Sequence, residues 1–232
     1  MAKRTYFVAG TDTDAGKTLV TAGLLAAANR QGLKTIGLKP VAAGCEQTEQ
    51  GLRNGDALLL QQTASVKLSY EQINPVAFEP PIAPHIAAAR EGRQLSADRL
   101  AAFCRGALMQ PADLALIEGA GGWRVPLNAR ETLARLPQQL GTPVILVVGM
   151  KLGCLNHALL TAEAIARDGL TLAGWVANRI DPQMSCYQEN LETLTGMFRA
   201  PLIGEVPFLD DPKPEHIADY LKIDKFYDLS AV

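Results

Sequence analysis

The nine residues Gly10-Thr-Asp-Thr-Asp-Ala-Gly16-Lys17-Thr18 stand between a short apolar run, Tyr6–Ala9, and a stretch of good helix formers, Lys17–Arg30. Strand, glycine-bounded loop and helix in this order commit the chain to an α/β unit, because the helix N-terminus has to face a ligand beyond the carboxyl edge of a parallel strand. Glycines let backbone N–H groups approach phosphate oxygens. The helix N-terminus adds partial positive charge, Lys17 suits the β/γ oxygens of a nucleotide, and the Thr18 hydroxyl suits Mg²⁺. Five residues separate Gly10 from Gly16, one more than in the standard G-x4-G-K-T loop. The plainer reading is a Gly-terminated turn with a chance Lys-Thr; the flanking strand and helix favour the phosphate loop.

The rest of the chain repeats the same alternation. Short, nearly pure apolar runs predict strands at Tyr6–Ala9, Thr35–Leu38, Leu114–Ile117, Val144–Val148, Leu172–Ala177 and Leu202–Gly204. Between them, helical spacing predicts helices at Lys17–Arg30, Asp56–Ala64, Ala97–Met109, Asn156–Arg167 and Gln183–Phe198. This pattern implies a three-layer, doubly wound α/β fold with a mainly parallel sheet, of the P-loop NTPase type. Its 232 residues suit one domain spanning 1–232, and the Pro-rich stretch Pro75–Pro84 reads as a surface excursion within it.

Composition excludes several classes. With 22 Lys+Arg against 24 Asp+Glu the formal charge is −2, which offers no polyanion-binding surface, so nucleic acid is not an expected partner. The longest apolar run, Val144–Met150, falls far short of the roughly 18–20 residues of a membrane span. Cys45, Cys104, Cys154 and Cys186 are scattered with no C-x-x-C pair, as expected of reduced thiols, and Met-Ala-Lys-Arg runs directly into the first strand. A cytoplasmic location is expected.

Three charged residues fall where the fold would bind phosphates. Glu118 ends the strand Leu114–Ile117 and opens Gly119-Ala-Gly-Gly122, the position of a metal-coordinating acid. Lys39 closes Thr35–Leu38 on the same rim, where it can offset charge on a transferring phosphoryl group or simply reach for water. Asp56, on local grounds alone, reads first as the N-cap of its helix. A Ras-type N-K-x-D motif is matched by Asn178-Arg179-Ile180-Asp181 only at its Asn and Asp. The early lysine of a ParA/MinD-type partner-binding ATPase, the alternative reading, is missing from Gly10-Thr11-Asp12. His85, His157 and His216 are too dispersed for a metal triad and stay unassigned; Trp123 and Trp175 are expected to pack.

In order and spacing, GTDTDAGKT, KPVAAG, GLRNGDA, EGAGGW, VILVVGMKLGCLNH, AGWVAN and PLIGEVPF make the chain resemble the dethiobiotin synthetase family from Tyr6 to about Leu209. The resemblance implies ring closure of 7,8-diaminononanoate with CO₂ and MgATP through a carbamate and a carbamic–phosphoric anhydride, giving ADP and phosphate. It places Asp14, Ala15, Gly16, Lys17, Thr18 and Leu19 around the nucleotide phosphates, with Gly119, Ala120 and Gly121 bordering them. Thr13 lies beside the carbamate and Lys39 acts as the catalytic lysine. Thr18, Asp56 and Glu118 complete the Mg²⁺ sphere, which replaces the cap reading of Asp56. Asn178, Arg179, Pro207, Phe208 and Leu209 surround the base, and Glu215 is a later acidic contact. The family is a homodimer in which Lys151, Cys154, Leu155 and Asn156 come from the second subunit to receive the substrate carboxylate. Two residues depart from the pattern: Asp14 stands where glutamate is common, and Ala43, on the substrate side, lacks an often-present hydroxyl. The first keeps the charge role and the second loses a side-chain contact to substrate, so weaker or differently arranged substrate contacts are expected and not a different reaction.

Overall fold

The computed structural model describes residues 3–225. In chain order the elements run β1 (Arg4–Gly10), α1 (Lys17–Arg30), β2 (Thr35–Leu38), β3 (Val41–Ala42), β4 (Glu46–Thr48), β5 (Gly51–Arg53), α2 (Gly55–Thr63) and α3 (Tyr70–Ile73). There follow β6 (Val76–Ala77), α4 (Pro84–Arg90), α5 (Ala97–Ala107), β7 (Leu114–Glu118), α6 (Arg135–Leu140), β8 (Val144–Met150), α7 (Cys154–Arg167), β9 (Leu172–Arg179), α8 (Tyr187–Met197), β10 (Leu202–Val206) and α9 (Pro214–Ala218).

Six strands form one parallel sheet in the order β10-β9-β8-β1-β7-β2, and these are the six that the apolar runs predict. Alternation with period two sends successive side chains to opposite faces. Tyr6 and Val8 of β1, Leu114 and Leu116 of β7, and Ile145 and Val147 of β8 pack with Val20, Leu24 and Leu25 of α1 on one face. Phe7 and Ala9, Ala115 and Ile117, and Val144, Leu146 and Val148 pack with α5 and α7 on the other. Both faces are covered, which is why these strands read as nearly continuous apolar runs. Helix α1 is pressed closely by α9: a Cβ on Gly23 would come within 2.4 Å of Ile217 Cγ2.

β1 lies between β7 and β8, so the loops leaving β1 and its two neighbours diverge at the carboxyl edge and open a crevice there. The phosphate loop follows β1, Glu118 ends β7, and Lys151 follows β8.

The structure corrects the sequence in three places. Pro75–Pro84 is not a surface excursion: Phe78 within it is fully buried, and its N–H and carbonyl pair with the Ala42 carbonyl (3.0 Å) and the Cys45 N–H (3.0 Å), extending the β3–β6 pair. Apolar anchoring of one aromatic outweighs the polar-loop signal of the surrounding prolines. Helix α7 begins at Cys154, two residues before the predicted Asn156, because Gly153 adopts the left-handed φ of 91° that a turn into the helix requires. Helix α8 begins at Tyr187 and not Gln183, since Cys186 (φ 53°) interrupts it and Gln183 instead donates to the Asp181 side chain at 2.9 Å. Among the described residues no helix is long and apolar enough to cross a membrane.

Candidate active site

The loop after β1 is held from below before it offers anything to a ligand. Thr11 N–H donates to the Val147 carbonyl at 3.0 Å, and the Gly149 N–H donates to Thr11 Oγ1 at 3.3 Å, tying the loop to β8. Asn178, at the end of β9 and buried, donates from Nδ2 to the Ala15 carbonyl at 3.0 Å. Gly16, the N-cap of α1, sits at φ 85° directly over that amide; a Cβ there would lie 2.0 Å from Asn178 Nδ2. Asp14 is also left-handed, at φ 58°, a conformation that a short Asx side chain tolerates better than most. This gives a local reason for aspartate at that position.

Lys17 points back over its own loop and donates to the Asp12 carbonyl at 2.9 Å. Burial, with the nearby Lys39 ammonium adding to it, depresses Lys17 to a pKa of about 8. Thr18, the next residue on α1, donates from its hydroxyl to Glu118 Oε1 at 2.7 Å.

Lys39 is the centre of the site. It leaves the end of β2, is 5% exposed, and places Nζ 2.5 Å from Glu118 Oε1, 2.9 Å from Asp56 Oδ2 and 3.3 Å from the Gly119 carbonyl. Burial alone would lower its pKa, but the two carboxylates outweigh burial and raise it, so the ammonium is held charged. At Asp56 burial pulls upward, and Lys39, with the Thr18 hydroxyl adding, takes the carboxyl below its ordinary value. The N-cap of α2 is Asn54, whose side chain accepts from the Ala57 N–H at 3.3 Å; this frees Asp56, two residues later, to face Lys39. Glu118 is 0% exposed, and its Oε2 is buried without a hydrogen-bond partner.

A cleft of about 870 Å³ opens above these groups. It gathers Thr13, Asp14, Gly16, Lys17, Thr18, Leu19, Lys39, Ala43, Asp56, Glu118, Ala120 and Gly121 from the residues predicted for the site. Ala15 and Gly119 lie just beneath it and contribute the carbonyls that meet Asn178 and Lys39. The sequence did not point to the far wall, where Pro81–Pro84 ends the buried Phe78 segment and Arg124, Val125 and Pro126 follow the glycine cluster. Only the prolines flanking that wall gave any signal.

The remaining predicted residues lie outside this cleft. The Arg179 guanidinium stacks 4.7 Å from the Tyr187 ring centre and donates to the Pro182 carbonyl at 2.9 Å. Phe208 is 43% exposed and Leu209 leans on the α1-side core. Glu215 is exposed in the first turn of α9, and its backbone carbonyl accepts from Arg30. Lys151 reaches Asp12 Oδ2 of its own phosphate loop at 3.5 Å, while Cys154 is buried under the first turn of α7 and Leu155 and Asn156 continue that turn. Trp123 and Trp175 pack as expected: Trp123 meets Phe7 edge-on and donates to Asp168 at 2.8 Å, and Trp175 meets Phe198 edge-on.

An oxygen-only set of one hydroxyl and two carboxylates suits a hard divalent cation that keeps phosphate and water as its other ligands. Thr18, Asp56 and Glu118 form such a set. The partnerless Glu118 Oε2 is the observation that fits a cation, because a fully buried carboxylate oxygen is costly without a donor or a metal.

Comparison with known proteins places the fold and the family. A family model described as an AAA domain matches residues 4–216. Among solved structures, the septum site-determining protein MinD of Pyrococcus horikoshii superposes with a TM-score of 0.56 at 18% identity, covering 98% of this chain and 90% of that one. The signal recognition particle receptor FtsY of Elizabethkingia anophelis gives 0.53 at 16%, covering 98% of this chain and 65% of that one. At such identities the likeness is one of fold. The ATP-dependent dethiobiotin synthetase BioD of Cellvibrio japonicus is 59% identical across 98% of this chain and 100% of its own length. That of Marinobacter nauticus is 54% identical across 96% of this chain and 97% of its own. With a Gly-Lys-Thr loop on a parallel sheet and relatives at this identity over nearly their whole length, the chain belongs to the family of ATP-dependent dethiobiotin synthetases.

Proposed function

We propose that this ATP-dependent ligase closes the ureido ring of dethiobiotin from 7,8-diaminononanoate, CO₂ and MgATP. One amine nitrogen adds to CO₂ and loses a proton, giving a carbamate. A carbamate oxygen then attacks the γ-phosphorus, the bond to ADP breaks, and a carbamic–phosphoric anhydride results. The second amine attacks the anhydride carbonyl and gives up a proton; the C–N bond closes the ring as the C–O bond to phosphate breaks. Since phosphorylation and acyl transfer require little covalent help from protein, the burden falls on positioning, charge and exclusion of water.

The observation that carries this reading is Lys39, a buried ammonium between Asp56 and Glu118 at the floor of the cleft that also holds Lys17. Its raised pKa suits a fixed cation facing the carbamate and the transferring phosphoryl oxygens. Lys17 would exchange the Asp12 carbonyl for the β/γ oxygens of ATP. Thr13, close to Gly121, borders the carbamate. Thr18, Asp56 and Glu118 would hold Mg²⁺, which when bound would offset phosphate charge. Asn178 has one amide hydrogen on Ala15 and its oxygen left for the base, which Pro207, Phe208 and Leu209 would flank.

The same reading takes residues 1–232 as one domain and the working unit as a homodimer. Leu152 is 94% exposed and Leu160 of α7 is 56% exposed. Apolar side chains this open beside Lys151–Asn156 support a second copy packing there, so that the start of α7 reaches the partner's cleft with N–H groups suited to a carboxylate. The described cysteines are all free, which supports the cytoplasm as its compartment.

The test is ADP release with diamine, bicarbonate and MgATP. Release should require the diamine and yield the cyclic urea stoichiometrically; ADP release indifferent to the diamine would refute the reading.

A further inference from the structure

Lys39 must enter the site at a fixed height, and a single lysine on the end of a four-residue strand does not hold itself there. Its peptide group is gripped from both sides by the end of α3. The Lys39 N–H donates to the Ile73 carbonyl at 2.9 Å, and the Lys39 carbonyl accepts from Asn74 Nδ2 at 2.6 Å. The other end of the Asn74 amide, Oδ1, accepts from the Tyr70 hydroxyl at 3.0 Å. That hydroxyl in turn accepts from the Asn54 N–H at 2.7 Å. Asn54 is the N-cap of α2, the helix that presents Asp56 to Lys39.

These bonds close a ring. From Lys39 Nζ it passes through Asp56, the first turn of α2, Asn54, Tyr70 and Asn74, and returns to the Lys39 carbonyl. Tyr70, Asn74 and Asn54 are all buried, which limits competition from water, and the three bonds that join them to one another and to the Lys39 carbonyl run from 2.6 to 3.0 Å. The Tyr70 ring is also fixed from outside by Arg53, whose guanidinium lies 4.2 Å from the ring centre. Neither Tyr70 nor Asn74 touches the cleft, and the reaction as described above does not use them.

We propose that Tyr70 and Asn74 are positioning residues: they tie the Lys39 backbone to the start of α2 and thereby set the distance between the Lys39 ammonium and Asp56. Tyr70 acts as a switchpoint of direction, donating to Asn74 and accepting from Asn54, so phenylalanine would break both links while keeping the ring's packing and the Arg53 stack. The inference rests on the ring-closure reading for its kinetic readout and is independent of it for its structural one.

Two measurements on the full chain test it. Amide exchange of the segments 39–43 and 54–58 should speed up about tenfold in Tyr70→Phe, with exchange in β1 and β8 unchanged. Outer-shell partners of catalytic groups typically cost 10–100-fold when removed, so kcat for diamine-dependent ADP release should fall about tenfold while KM for ATP stays within about twofold. Asn74→Ala should lose a similar factor, and the double variant should lose about as much as the worse single one, as expected for members of one chain. Unchanged exchange, an unchanged kcat, or losses that multiply in the double variant would overturn the proposal. Should Asn74→Ala fail to fold, Tyr70→Phe decides alone. A wild-type enzyme without diamine-dependent turnover would remove the ring-closure reading, and the exchange result would then decide the positioning role.

Discussion

On the β1–β7 side of the cleft, Lys17, Lys39 and Glu118 are buried and hold one another or the loop backbone, whereas on the β8–β10 side Leu152 stands 94% exposed and Phe208 43% exposed. The first group is already linked together. One ammonium, Lys39, faces two carboxylates, Asp56 and Glu118, and the partnerless Glu118 Oε2 leaves a place for a further cation. The second group presents exposed apolar side chains. The difference teaches that preorganisation here is concentrated where the ionisable groups meet, and that on the proposed reading the open side is completed by the ligand and by a second copy of the chain.

Replacing Lys39 by glutamine should break the comparison most sharply. The side chain keeps its approximate length and loses the charge that, on the proposed reading, faces the transferring phosphoryl group, and loss of one such group typically costs about 10²–10³ in kcat. We expect a loss at the upper end, about 10³-fold, because two carboxylates are then left facing each other without their cation. ATP should still bind, measured by calorimetry, since Lys17 and the loop remain. Near-normal turnover would contradict the role of Lys39. On the open side, Leu152→Glu should weaken self-association about 30-fold, equivalent to about 2 kcal/mol for a central apolar contact. Sedimentation would show this, while steady-state kinetics should give a raised KM for the diamine and calorimetry an unchanged affinity for ATP. A variant that stays dimeric would remove Leu152 from the interface.

How far each side could be read from the sequence follows from the same contrast. The strands and α1 were legible because burial on both faces leaves an apolar run at every strand, and the phosphate loop because glycine and lysine spacing is itself the chemistry. Lys39 and Glu118 were placed by a positional rule, the carboxyl ends of parallel strands. Asp56 was not legible locally. An acid near a helix start looks like a cap, and only the structure gives that duty to Asn54. The wall at Pro81–Pro84 and the Tyr70–Asn74 link were hidden because they depend on contacts between segments far apart in sequence, such as Asn74 with Lys39, which no local pattern encodes.

A smaller effect is expected at Phe208. Aromatic stacking on a base is worth about 1–3 kcal/mol, and a ring that keeps 43% of its surface exposed belongs at the low end. Phe208→Ala should therefore weaken ATP binding about fivefold with kcat unchanged. A loss confined to kcat would place Phe208 on the wrong side of the comparison.

The smallest effect tests the closed side through pH. Asp56 titrates below its ordinary 3.8 because Lys39 outweighs the upward pull of burial. A carboxylate with a depressed folded-state pKa stabilises the fold above its unfolded value, and that contribution disappears as pH falls through the folded one. The Asp56 side chain is 45% exposed, so solvent screens the pair to about 0.5–1 kcal/mol. For a chain of this size that corresponds to about 1–4 °C in Tm. Wild type should therefore melt a few degrees above Asp56→Asn at pH 7, and the gap should shrink once pH falls below 3.8 and close as it passes the lower folded value. Lys39 has the opposite sign: its pKa is raised, so its contribution is fully present below 10.5 and is lost only above that. The acid limb thus isolates the Asp56 partner. A gap that did not shrink at all below pH 3.8 would mean that Asp56 stabilises the fold without its charge, and so not by its pairing with Lys39.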